Sequence, residues 1–170
     1  MNIRDLVDIK KEIIGCRFTK CERIFYSLNK DLYEYELNND LYEYELNNDL
    51  YEYELNNDLY EYELNNDGNV YLSFSNNLIL AILSDTTNFS FKLGLMEHTN
   101  EISTTDISNN VSLKDILKRN IIDIMFLHSK YQITPYGIKL IFENNKSLII
   151  KYVSENEYVF DSLIMEVIKE

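Results

Sequence analysis

Residues 72–82 read LSFSNNLILAI, and residues 140–150 read LIFENNKSLII. The residue types at Leu72, Phe74, Asn76, Asn77, Leu80 and Ile82 recur at Leu140, Phe142, Asn144, Asn145, Leu148 and Ile150, 68 positions on. Each stretch is two alternating runs joined at Asn-Asn. Alternation puts every second side chain on one face, and Asn tolerates the left-handed backbone a tight turn needs, so each stretch predicts a β-hairpin. A mixed or apolar strand precedes each one, Arg17–Leu28 before the first and Ile121–Ser129 before the second. The chain therefore reads as two similar β-units. Chance recurrence in a chain rich in Asn and Ile is the competing explanation.

Working outward, residues 2–14 predict a helix. Ile3, Leu6, Val7, Ile9, Ile13 and Ile14 form its apolar face, and Gly15 stops it. Residues 89–95 predict a strand, and the polar stretch 97–111 a loop. Ser112, with Asp115 three positions on, predicts the capping box of a short helix over 113–119. Strands are expected over 121–128, 136–143, 147–153 and 157–166, the last turning helical near Met165. The expected fold class is α+β: mainly antiparallel sheet, a short N-terminal helix, one central helix and a single domain over 1–170.

An array interrupts the first unit. DLYEYELNN occurs in four identical copies over 31–39, 40–48, 49–57 and 58–66, and Asp67-Gly68 ends the run. On a helix nine residues advance by about 900°, which turns each copy about 180° from the last and leaves no apolar stripe. On a strand Tyr33, Tyr35 and Leu37 share one face while Leu32, Glu34 and Glu36 share the other. Asn38-Asn39-Asp40 then supplies a turn. An inserted hairpin or meander is the favoured reading, with helix and disorder left open. The calcium-binding β-roll also has a nine-residue period, but this array lacks its glycines.

Charge is segregated in the same way. The chain has 170 residues, 45% of them hydrophobic, and a net charge of −13. Residues 31–66 hold four Asp, eight Glu and no Lys or Arg, which leaves 17 acids against 16 bases elsewhere. Such acidity argues against direct contact with nucleic acid or an anionic membrane, since phosphates are held by Lys and Arg. The apolar runs Leu78–Leu83 and Ile124–Leu127 are too short to span a bilayer. Met1-Asn2-Ile3-Arg4-Asp5 has no long apolar run behind it, so no secretory leader is read and a cytoplasmic location is expected. Cys16 and Cys21 read as free thiols on opposite strand faces.

No catalytic constellation emerges. His98 lies in a polar stretch and His128 ends an apolar strand. Zinc-site, nucleophile-elbow, Walker and dinucleotide patterns are missing, and the chain has four glycines with which to cradle a phosphate. The chain is therefore read as a non-enzyme without cofactor or metal. The paired glutamates are identical and repeated, whereas acid–base catalysis needs two carboxylates in unlike environments. The candidate site is instead a contact surface. It consists of Tyr33, Glu34, Tyr35, Glu36, Tyr42, Glu43, Tyr44, Glu45, Tyr51, Glu52, Tyr53, Glu54, Tyr60, Glu61, Tyr62 and Glu63. Tyr offers rigid amphipathic area, and Glu steers toward a basic partner. Exposed repeat strands could also pair with one another, giving self-association.

The helix ending Ile13-Ile14-Gly15, the hairpin Gly137-Ile138-Lys139-Leu140-Ile141-Phe142-Glu143-Asn144-Asn145, the run Leu148-Ile149-Ile150 and the closing Tyr158-Val159-Phe160-Asp161 carry a resemblance. In these features, over 1–30 and 68–170, the chain resembles small bacterial immunity proteins that neutralise polymorphic or contact-dependent toxins. The resemblance implies an acidic cytoplasmic inhibitor that occludes the active site of a basic nuclease, and it assigns no role to any single residue. A nucleic-acid mimic that blocks a DNA-binding defence protein, and a structural module with passive repeats, are the alternative readings.

Overall fold

Both Asn-Asn stretches fold as tight hairpins, and with the same geometry. Strand β4 (Val70–Phe74) pairs with β5 (Ile79–Asp85), and β9 (Gly137–Phe142) pairs with β10 (Lys146–Val153). Leu72 faces Leu80 and Val70 faces Ile82; 68 positions on, Leu140 faces Leu148 and Ile138 faces Ile150. The second Asn of each turn is left-handed, with φ 65° at Asn77 and 58° at Asn145. Its N–H closes the turn on the Phe74 carbonyl (3.1 Å) or the Phe142 carbonyl (3.2 Å). Asn accepts this backbone at little cost, which is why the signal is readable in the sequence.

The structure, a computed structural model, describes residues 2–3, 5–24, 64–66, 68–85, 90–97, 103–130, 134–153 and 162–170. Each hairpin is flanked by one strand on either side. In the first unit β2 (Phe18–Arg23) pairs with β4, and β6 (Ser90–Met96) with β5. In the second, β8 (Ile121–Leu127) pairs with β9, and β11 (Ser162–Lys169) with β10. Both opening strands carry a bulge at the same place. The register shifts between Phe18 and Lys20 opposite β4, and between Ile121 and Asp123 opposite β9. One extra residue there, Thr19 or Ile122, bends the strand over the core. Two four-stranded antiparallel meanders with matched registers, bulges and turns thus make up most of the described structure.

Three two-residue strands extend their edges. β1 (Asn2–Ile3) joins β6, β7 (Thr105–Asp106) joins β2, and β3 (Asn65–Asn66) joins β11. The sheets are therefore ordered β1-β6-β5-β4-β2-β7 and β3-β11-β10-β9-β8. Their inner faces share one core. Phe18, Leu72, Phe74, Leu80 and Ile82 from the first sheet cluster with Ile121, Ile124, Leu140, Phe142, Leu148 and Ile150 from the second. The ring of Phe18 lies 6.3 Å from that of Phe74 and 5.9 Å from that of Phe142, so one side chain bridges the two sheets.

Helix α1 (Leu6–Ile13) starts later than its apolar pattern predicts. Asp5 caps it, its carboxylate accepting the Asp8 N–H at 2.9 Å. Ile3, counted in the predicted helical face, lies instead in β1. Ile9 and Ile13 are buried, and Gly15 stops the helix at φ 84°. Lys118, 103 positions after Gly15, has φ 64° and plays the same part before β8. The segments entering the two units pair at this level. Gly15 donates to the Ile121 carbonyl, Ile121 to the Cys16 carbonyl and Phe18 to the Arg119 carbonyl.

The central helix expected over 113–119 is not formed: residues 111–118 make successive turns. Leu113 N–H bonds the Asn110 carbonyl, Ile116 that of Leu113 and Arg119 that of Ile116, each three residues back. One bond four residues back, Leu117 to Leu113, does not make a helical ladder. The cap is Asn110, which accepts the Ser112 N–H at 3.0 Å, and Asp115 pairs with Lys146 instead of completing a capping box. The last strand also differs from expectation, since β11 stays extended through Lys169 with no helix at Met165.

The two outer faces differ. On the first sheet Tyr71, Ile79 and Ala81 form a small buried cluster with Ile24, Leu83 and Met96. On the second, Lys139 and Ser147 reach Glu170, and Lys151 reaches Glu166. One further pair ties α1 to β8, where Lys10 Nζ lies 2.7 Å from the Asp123 carboxylate. That bond, with the Ile124 N–H on the same oxygen, holds the Asp123 carboxyl below its ordinary 3.8. A lowered folded pKa gives stability that is present above the ordinary value and lost as pH falls through the folded one. Asp123→Asn is expected to cost at most about 1 kcal/mol at neutral pH, because the pair is partly exposed. Urea unfolding should show the gap between the two proteins closing below pH 3.8. A gap that stays constant on acidification would mean that the ion pair is not its source.

Candidate functional site

The candidate contact residues, Tyr33 to Glu63, lie outside the described residues, as does the hairpin or meander expected for them. The end of the array is described, and so is the sandwich that carries it. Leu64, in the fourth copy, is buried in the common core, and Asn65–Asn66 form β3 on the edge of β11. On the other side the chain leaves β2 through Ile24, whose N–H donates to the Asn69 carbonyl at 3.0 Å. The two ends of the insertion are therefore side by side.

Two residues make this closure tight. A Cβ on Gly68 would fall 1.4 Å from the Ile24 carbonyl oxygen, so only glycine lets the strands approach this closely. Arg23, fully buried, donates from Nη1 to the Leu64 carbonyl at 2.8 Å and from Nη2 to the Leu163 carbonyl. It binds the array's end to the second sheet. The sequence marks Gly68 as the end of the array but not as a point of close approach, and it does not single out Arg23. The signal for a special role at Gly68 is that it stands where the repeat's own Leu (Leu41, Leu50, Leu59) would follow Asp. Arg23 left no such signal, because a charged residue ending a mixed strand reads as exposed.

The insertion also has a measurable length. Phe18 and Ile121 are equivalent positions 103 apart, whereas Leu72 and Leu140 are 68 apart. The first unit thus carries 35 extra residues between its opening strand and its hairpin, one fewer than the 36 of the array.

Part of the described surface is locally neutralised. Lys10, Lys11, Lys20, Lys92, Lys139, Lys146 and Lys151 each lie against a carboxylate, those of Asp123, Asp8, Glu22, Asp85, Glu170, Asp115 and Glu166 in turn. The hydrogen bond from Lys20 to Glu22 raises the lysine's pKa, and those from Lys139 and Ser147 lower that of Glu170. Both cysteines are free thiols, Cys21 buried and Cys16 partly so. His128 is exposed, its ring edge-on to Phe126 at 6.2 Å, while His98 lies outside the described residues. Among the described residues no group of three or more His, Cys, Asp or Glu could hold a metal, and no helix is long and apolar enough to cross a membrane. The exposed large apolar side chains include Val7 on α1, Ile14 at its end, and Ile122 and Met125 on β8.

Among the described residues these features define two antiparallel β-sheets with one short helix, and the end of the acidic array is rooted between the sheets. No family model matches the chain, and no curated protein or solved structure matches it.

Proposed function

We propose that this is a binding protein whose acidic, tyrosine-rich array docks on a basic protein. The target we favour is a nuclease toxin, which the chain would neutralise in the cytoplasm as an immunity protein. The observation that carries the reading is the separation of charge: −12 in the array, against a remainder that is nearly neutral and in which seven lysines sit against carboxylates. A nuclease must be cationic where it holds phosphates, so a concentrated acidic arm is steered to that surface. The tyrosines beside the glutamates supply the area that turns an encounter into a contact. On this reading the sandwich is the handle, and the chain itself does no chemistry.

The test is capture from a lysate of the source cells with the full chain and with a chain lacking Asp40–Asn66, at low and moderate salt. Captured proteins are identified and assayed for nuclease activity with and without the full chain. The expected result is one basic nuclease, inhibited by the full chain and held at least about tenfold more weakly on deletion or with salt, as exposed charge pairs are screened. Equal capture by both chains would move the contact to the sandwich, where Val7, Ile14, Ile122 and Met125 are exposed, and would sink the array reading. Release by excess duplex DNA of a DNA-binding protein that is not a nuclease would favour a nucleic-acid mimic instead.

A further inference from the structure

Because the two units share registers, bulges and turns, the places where they differ mark what the first has acquired. Arg23 is one such place. Its equivalent 103 positions on is Phe126, and the equivalent of Leu163, 72 positions back, is Phe91. In one half of the sandwich Phe126 meets Phe91 ring to ring at 6.0 Å. At the matching place in the other half, the Arg23 guanidinium takes the Leu163 carbonyl together with that of Leu64. An aromatic contact between the sheets is thus replaced by a charged clamp at the point where the array ends. Three further differences lie beside it: the 35 extra residues, β3 on β11, and Gly68 pressed against Ile24.

We propose that Arg23, Ile24, Gly68 and the β3–β11 pairing form a closed root that makes the array a module of adjustable copy number. The end of the last copy is held by groups outside the copies, Arg23 and β11, and the chain before the array is held at Ile24. Every copy ends in Leu-Asn-Asn and is followed by Asp, so whichever copy comes last presents the same leucine to the core and the same two residues to β11. Gly68 follows the last copy alone and marks where the array ends. The sandwich then senses only the entropy of closing a longer loop, which grows with the logarithm of its length. The amount of acidic, tyrosine-bearing surface can therefore change in nine-residue steps while the fold stays the same. This holds whatever the array binds.

The experiment compares chains with one, two, four and six copies by thermal unfolding and by hydrogen exchange over 64–66 and 163–164. All four are expected to unfold within about 4 °C of one another. The root segments should be equally protected in each. A midpoint that moves steadily by more than this with each copy, or protection that disappears in the one-copy chain, overturns the proposal. Arg23→Met in the four-copy chain is expected to lower protection over 64–66 by on the order of tenfold, with β9 and β10 unaffected. Unchanged protection would remove Arg23 from the root. If Arg23→Met does not fold, the copy series decides alone.

Discussion

Phe18→Ala is expected to destabilise the protein by about 3–5 kcal/mol, the loss typical of a phenylalanine removed from a packed core. Phe18 is fully buried and touches Phe74 of its own sheet and Phe142 of the facing one, so its removal opens a cavity where the two meanders meet. The matching position in the second unit holds the smaller Ile121, also fully buried. Phe18 therefore fills space on both sides of the junction, and its loss should weaken both halves together. Urea unfolding followed through tyrosine fluorescence and through far-ultraviolet circular dichroism should give a single coincident transition, shifted to lower urea. Two separated transitions would show that the halves unfold independently, and a loss below about 1 kcal/mol would mean that the cavity collapses. If the alanine chain does not fold, Phe18→Leu gives the same comparison with a smaller void.

Gly68→Ala should be nearly as damaging, for a different reason. Its new methyl group would sit 1.4 Å from the Ile24 carbonyl oxygen, and backbone cannot swing aside as a side chain can. Restoring contact distance forces the two ends of the insertion apart, which breaks the bond from Ile24 to Asn69 and pulls on the first residues of β4. A cost of roughly 3 kcal/mol or more is expected. Gly15→Ala is the control. Nothing lies within 4 Å of its added Cβ, so only the left-handed φ of 84° is penalised. Its cost should be about 1–2 kcal/mol. Thermal unfolding of the two variants side by side measures the difference. Equal losses would mean that the close approach of the two ends is not a constraint on the fold.

Much of this architecture was legible in the chain. The two hairpins were readable because alternation and Asn-Asn turns are local, and the helix because Ile9, Ile13 and the stop at Gly15 lie within three turns. The helix expected over 113–119 is replaced by turns. The spacing there suits a helix, but the Asn110 cap, the left-handed Lys118 and the pairing of Asp115 with Lys146 favour turns, and the last of these depends on a strand 31 residues away. For the candidate site the sequence supplied composition and spacing. The root that holds it was not readable.

By itself the sequence determined what short-range physics controls: strand faces, turn positions, the stop of α1, the nine-residue period and the confinement of charge to one stretch. Tertiary structure alone decided that the two units place equivalent residues in one core, that the opening strands bulge at matching positions, and that Arg23 is buried. It also decided that the segments flanking the array meet at Ile24 and Gly68. Each of these depends on a partner far along the chain, Leu163 for Arg23 and Phe142 for Phe18. Which distant groups converge is settled by burying both sheets' apolar faces together, a cooperative choice that no window of neighbouring residues contains.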